Sequence, residues 1–237
     1  MAYWPTVQMV IWGFVTQFFI GHSSWLASAA GVLIGAVLLW DLLFRSQIGF
    51  SMCFLEEMWS RNLGHLFVSP LRPHEFIISM MVVSCLRGFF GLLPSWILAF
   101  VFFEFSILSY GLGIVAFFSC LMVMGWALGM IVIALVLRFG LGAESLAWVA
   151  IFAFAPISAV YYPVETLPTW LQIVAWCTPS AYVFEGMRSV LIDDIFRYDL
   201  LVGAILANVV YLFAGIFVFS CSFLGARKQG KLLQTGE

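Results

Sequence analysis

Ile107 to Leu137 reads ILSYGLGIVAFFSCLMVMGWALGMIVIALVL, an unbroken run without Asp, Glu, Lys or Arg that stops at Arg138. As a helix it rises about 45 Å, more than the roughly 30 Å hydrocarbon core of a bilayer. Residues 1–40 are charge-free too, and their one polar break, His22-Ser23-Ser24, predicts a tight turn between two helices. The rest of the chain is built alike. Its 237 residues include 10 Lys+Arg and 12 Asp+Glu, 9% charged where soluble domains carry roughly 25%. Residues of the AVILMFWYC set make up 64%, and the mean hydropathy is +1.08. Such a chain cannot cover itself with a charged surface, which excludes a cytosolic enzyme and a disordered segment. A net charge of −2 excludes a nucleic-acid binder.

These runs predict an all-α polytopic membrane protein, a single transmembrane domain over residues 1–237 with six spans. They are expected over residues 5–20, 25–44, 74–103, 107–137, 146–162 and 200–224, with a kink at Pro156 in the fifth. Ala27-Ser28-Ala29 resembles a signal-peptide cleavage site, but no cationic region precedes it. Asp41 and Arg45 stand four apart and can pair on one helix face near the headgroups.

Two polar segments interrupt the apolar runs. The first is Glu56-Glu57-Met58-Trp59-Ser60-Arg61-Asn62-Leu63-Gly64-His65, in which Leu55, Trp59, Leu63 and Leu66 repeat at helical spacing. That pattern predicts a short amphipathic helix over residues 55–67, lying along the membrane surface, with Glu57 and Arg61 able to pair. The second is residues 163–199. Leu167 to Trp176 is apolar but too short to cross, and too apolar to lie free in water. A re-entrant hairpin resolves that conflict, with Pro168 opening a short helix, Pro179 interrupting the return, and Trp170 and Trp176 at headgroup level. Ser180 to Asp199 reads as a polar stretch leading into the last span.

Sidedness follows from the basic residues. With both termini inside, eight of the ten, Arg45, Arg61, Arg72, Arg87, Arg138, Arg227, Lys228 and Lys231, fall on the cytoplasmic side. Arg188 and Arg197 fall outside. Arg87 lies about 20 Å along its helix, where a buried charge costs roughly 2.5–3.5 kcal/mol on insertion scales. Either it snorkels to the interface or it faces a pathway.

Sites of chemistry are scarce. Gly225-Ala226-Arg227-Lys228-Gln229-Gly230-Lys231 imitates a Walker A loop, yet Leu232 replaces the Ser/Thr and no strand precedes it. A basic juxtamembrane tail accounts for it better. Five scattered cysteines and three histidines form no metal-ligand pattern. Ten Trp, seven Tyr and 25 Phe fit an aromatic belt and lipid-facing filler. Gly31-xxx-Gly35 and Gly125-xxx-Gly129 are small-xxx-small patterns suited to close helix packing.

The order of parts resembles the type-2 ABC transporter permeases. Two stretches carry the resemblance: Glu56-Glu57 through Arg61 to Ser69-Pro70-Leu71-Arg72-Pro73, and Tyr162-Pro163-Val164-Glu165-Thr166-Leu167-Pro168-Thr169-Trp170-Leu171 with Thr178-Pro179 and Glu185-Gly186-Met187-Arg188. The resemblance implies a half-transporter that forms a homodimer in a bacterial inner membrane, contacts membrane lipid and recruits a separate cytoplasmic ATPase. That partner would bind ATP and Mg, leaving this chain with no cofactor, no metal and no catalytic residue. The implied ATPase-coupling residues are Glu56, Glu57, Trp59, Arg61, Asn62, Leu63 and Leu66. The implied external gate is Pro163, Leu167, Pro168, Trp170, Leu171, Pro179, Tyr182 and Arg188, and Arg87 is the candidate pathway residue. Export of a lipid or lipid-linked glycan is the favoured activity; drug efflux, or a channel or scaffold without ATPase, are the alternatives. Family members usually carry an amphipathic helix before the first span, whereas four residues precede Pro5 here.

Overall fold

The computed structural model describes residues 3–20, 24–68, 72–103 and 112–228. Within these the chain is helical, with no strand among the described residues. In chain order the helices are α1 (Tyr3–Ile20), α2 (Ser24–Trp59), α3 (Leu63–Val68), α4 (Pro73–Phe103) and α5 (Leu112–Phe139). They continue as α6 (Leu146–Phe154), α7 (Thr169–Trp176), α8 (Pro179–Asp193) and α9 (Tyr198–Lys228). Four of them, α2, α4, α5 and α9, are long and apolar enough to cross a membrane. Of the expected turn His22-Ser23-Ser24, residues 22 and 23 lie outside the described residues and Ser24 opens α2; the first residues of the fourth run, 107–111, also lie outside them.

Helix directions can be read from side-chain pairs. Ser84 donates its hydroxyl to the Ser46 carbonyl at 3.0 Å, and the Phe54 and Phe76 rings meet edge-on at 6.3 Å, so α4 runs antiparallel to α2. Ser46 meets the Met122 carbonyl at 2.8 Å and Phe50 packs on Gly129, so α5 runs parallel to α2. Phe196, just before α9, covers Gly113, while Gly215 meets Ala127; α9 therefore runs parallel to α5. The chain between α5 and α9 must return from one end of the bundle to the other.

Packing follows the small residues. A Cβ on Gly125 would sit 2.6 Å from the Ser46 Cβ, and one on Gly129 would sit 2.9 Å from the Phe50 ring. Only glycine permits this approach, which is how apolar helices gain contact when lipid is as apolar as their side chains. One apolar cluster joins Leu39, Leu43, Phe117, Leu121, Phe184 and Met187. A second, toward the Trp59 end, joins Phe50, Phe54, Leu63, Phe76, Phe219 and Phe223.

Four expectations are corrected. The second helix does not end near Phe44, because residues 45–54 hold no proline and their polar members bond inside the bundle: Ser46 to Met122, and Gln47 to Ser51 at 3.3 Å. The amphipathic helix over 55–67 is accordingly two pieces, the last turn of α2 and the six-residue α3, separated by Ser60-Arg61-Asn62. The fifth run is not one helix to Tyr162. It stops at Phe154, ahead of Pro156, and Ser158 turns back to the Phe154 carbonyl at 3.1 Å. Finally, Ser180 to Asp193 is not a polar loop but most of α8, whose Ala181, Val183, Phe184, Met187 and Val190 are buried. Asp41 and Arg45 do pair, at 3.1 Å, but within the bundle and not at its edge, since Asp41 is only 3% exposed.

Candidate functional site

The α2–α3 elbow is shaped by its own side chains. Arg61 takes a left-handed backbone, φ 57°, which ends α2 and redirects the chain. Glu57 secures the reversal. Its carbonyl accepts the Asn62 N–H at 3.0 Å and the Ser60 hydroxyl at 3.1 Å, and its carboxylate accepts Asn62 Nδ2 at 2.7 Å. Helix termination removes the i,i+4 geometry, so the expected Glu57–Arg61 pairing gives way to Glu57–Asn62. Trp59 and Arg61 are exposed, while Leu63 is buried under Phe54 and Phe76. The side chain of Leu66, and residues Ser69 to Leu71, lie outside the described residues. At the far side of the elbow, Glu75 accepts the Arg72 N–H at 2.8 Å and caps the start of α4.

Arg87 connects this elbow to the bundle interior. It leaves α4 level with the middle of α2 and reaches toward the elbow, where Nη1 and Nη2 meet Glu56 Oε1 and Oε2 at 2.9 and 2.7 Å. The fork-to-fork geometry is the strongest form of this pair. It brings together a candidate coupling residue and the candidate pathway residue, 31 positions apart.

A cavity of about 460 Å³ lies against this pair, between α2, α4 and α6. Its walls are Phe44, Ile48, Gly49, Met52, Gly88, Trp148 and Phe152, with Arg45 and Arg87 as its charged members. Phe44 is the aromatic hub, tilted against Trp148 at 5.9 Å and Phe152 at 6.0 Å. A Cβ on Gly88 would meet nothing within 4 Å, so that wall is open. Volume and composition suit an amphiphile with an apolar tail and an acidic head. Single-sequence reading missed the cavity because its wall comes from three separate helices.

At the other end, α8 holds the stretch after α6. Arg188, 7% exposed, donates to the carbonyls of Ala159, of Val160 at 3.1 Å and of Tyr162 at 2.8 Å. Its Nη1 pairs with Glu185 Oε1 at 3.1 Å, and that oxygen also accepts the Val164 N–H at 2.7 Å. Burial draws the guanidinium below its usual basicity, and the Glu185 charge opposes the shift. Non-helical backbone inside a bundle leaves carbonyls without partners, and Arg188 supplies them. The hairpin itself is α7 joined to α8 through Cys177-Thr178, with Pro168 just before α7 and Pro179 opening α8. The Trp176 and Tyr182 rings meet across it at 5.0 Å, tilted by 59°. Pro179 is buried, Leu167, Leu171 and Tyr182 are half-buried, and Pro163, Pro168 and Trp170 are exposed. Gly225 to Lys228 are the last residues of α9, helical where a phosphate loop would be required.

No curated protein matches the sequence. Four long apolar helices fit a membrane-spanning chain. The family model described as ABC-2 type transporter matches residues 1–192, and this chain belongs to that family.

Proposed function

We propose that the chain is the membrane-spanning subunit of an ATP-driven exporter that moves an amphipathic substrate, a lipid or lipid-linked glycan, outward across a bacterial inner membrane. ABC-2 permeases generally work with an ATPase subunit. Here that subunit would dock on the α2–α3 elbow, two copies of the permease would face each other, and ATP with its Mg would stay on the partner. The observation carrying the reading is the Glu56–Arg87 pair, which joins an exposed elbow to an amphiphile-sized cavity. Six crossings complete the topology: α1, α2, α4, α5, α6 with the turns after it, and α9. The parallel α5 and α9 support the fifth. Both termini and the elbow are then cytoplasmic, and α7–α8 external, where the hairpin would close the pathway.

The test is ATP hydrolysis in reconstituted vesicles. Replacing Glu57, Arg61 and Asn62 together should leave the permease in the membrane and abolish substrate-stimulated hydrolysis. Unchanged stimulation would overturn docking at the elbow.

A further inference from the structure

We propose that the cavity between α2, α4 and α6 takes the acidic headgroup of a single-chain amphiphile, which replaces the Glu56 carboxylate on Arg87 and so unlatches the elbow from α4. The proposal rests on the exporter reading and names both its ligand chemistry and how occupancy is signalled.

Three observations carry it. Arg87 belongs to the cavity wall and to the Glu56 pair at once, so a headgroup in the cavity competes for the same guanidinium. The pair is open to exchange: the Arg87 and Glu56 side chains are 29% and 42% exposed, so neither is sealed inside the bundle. The wall beside Arg87 is Gly88, whose missing side chain leaves room for the head, while Phe44, Ile48, Trp148 and Phe152 line space for the tail.

The chemistry favours an acidic head. A phosphate monoester offers three acceptor oxygens and up to two charges against the two oxygens and single charge of Glu56. One bidentate pair replaces another, so Arg87 is never stranded, and affinity comes from burying the tail. A neutral head cannot perform the exchange. The signal follows from chain position. Glu56 precedes Glu57, which holds the Ser60-Arg61-Asn62 turn, so releasing Glu56 removes the charged tie between the last turn of α2 and α4 and leaves the Phe54–Phe76 contact as the hold.

The experiment uses the full chain alone in phosphatidylcholine nanodiscs, titrated with 12-bromododecyl phosphate or the uncharged 12-bromododecyl maltoside. Bromine quenches nearby tryptophan, and the quench lost in Trp148→Phe reports the cavity. The phosphate probe should saturate that signal. Arg87→Gln should weaken it at least tenfold with little change for the maltoside, and Glu56→Gln should tighten it several-fold. A spin label on Arg61→Cys, with Cys177 and Cys221 changed to serine, should become more mobile on binding and already be so in Glu56→Gln.

Equal saturation by both probes, or a label indifferent to the phosphate probe, overturns the exchange. Should Arg87→Gln fail to fold, Glu56→Gln decides alone: an unchanged or weaker affinity for the phosphate probe is fatal. With no ATPase present, failure here leaves ATPase docking standing, and failure of docking leaves this result standing. Replacing a fifth of the phosphatidylcholine with phosphatidylglycerol separates substrate from bilayer lipid. The quench should persist if the site selects a single-chain phosphate, and its loss to bulk acidic lipid would overturn that selectivity.

Discussion

Ser46 donates a hydroxyl hydrogen bond to the Met122 carbonyl at 2.8 Å, and the two helices can come that close because Gly125 lies beside the contact. The α2–α5 seam is therefore backbone-tight, with no slack for an added methyl group.

Gly125→Val should lower stability by about 1–3 kcal/mol, the usual cost of forcing volume into a packed contact. Gly225→Ala is the matched control, since a Cβ there meets nothing within 4 Å. It should be neutral or gain up to about 1 kcal/mol from helix propensity. Thermal unfolding of the detergent-purified variants checks both. Equal losses would show that the seam is looser than its geometry.

Arg188→Ala should be the most damaging single change in the far half of the molecule, about 3–5 kcal/mol, because it strands Glu185 and the carbonyls of Ala159, Val160 and Tyr162 together. Glu185→Gln should cost less, since the amide oxygen still accepts the Val164 N–H. The order of unfolding midpoints, Arg188→Ala below Glu185→Gln below the parent, is the outcome to look for.

Arg61 sits at φ 57°, a region that costs a residue with a Cβ roughly 1 kcal/mol relative to glycine. Arg61→Gly should hold or raise stability, and Arg61→Val should lower it by about 1 kcal/mol or more. If the ATPase docks on the elbow, Arg61→Gly will separate two properties, keeping the fold while weakening ATPase co-purification.

Sidedness has its own measurement. Cys177 is exposed between α7 and α8. In intact cells a membrane-impermeant thiol reagent should label Cys177, and should reach Arg61→Cys only after the membrane is opened. The reverse pattern would invert the topology.

Much of this architecture was legible in the amino-acid order. The charge-free run ending at Arg138 gave α5, and the basic tail marked the end of α9. The length of α2 was hidden, because Arg45, Ser46 and Gln47 look like an exit from the membrane until Ser46 is seen to bond Met122 on α5 while Arg45 and Gln47 pair within α2 with Asp41 and Ser51. The same limit hid the Glu56–Arg87 pair: nothing local says that two charges 31 positions apart meet side chain to side chain. By contrast, α8 carried a readable signal. Ala181, Phe184, Met187 and Leu191 recur at helical spacing, but Glu185, Arg188 and the flanking aspartates gave the segment a polar look. The partners of Arg188 could not be foreseen, because the carbonyls it meets are available only where α6 ends early.

That early end bears on biosynthesis. In the proposed topology the fifth crossing begins with nine residues of helix, about 13 Å, less than half the hydrocarbon thickness. A segment this short cannot hold itself in lipid as it leaves the ribosome, because the turns after Phe154 would bring bare carbonyls into the bilayer. The residue that answers those carbonyls, Arg188, is translated some 30 residues later, in α8. Insertion of the fifth crossing is then a late event that waits for downstream chain, and a nascent protein halted before Arg188 would leave it unanchored.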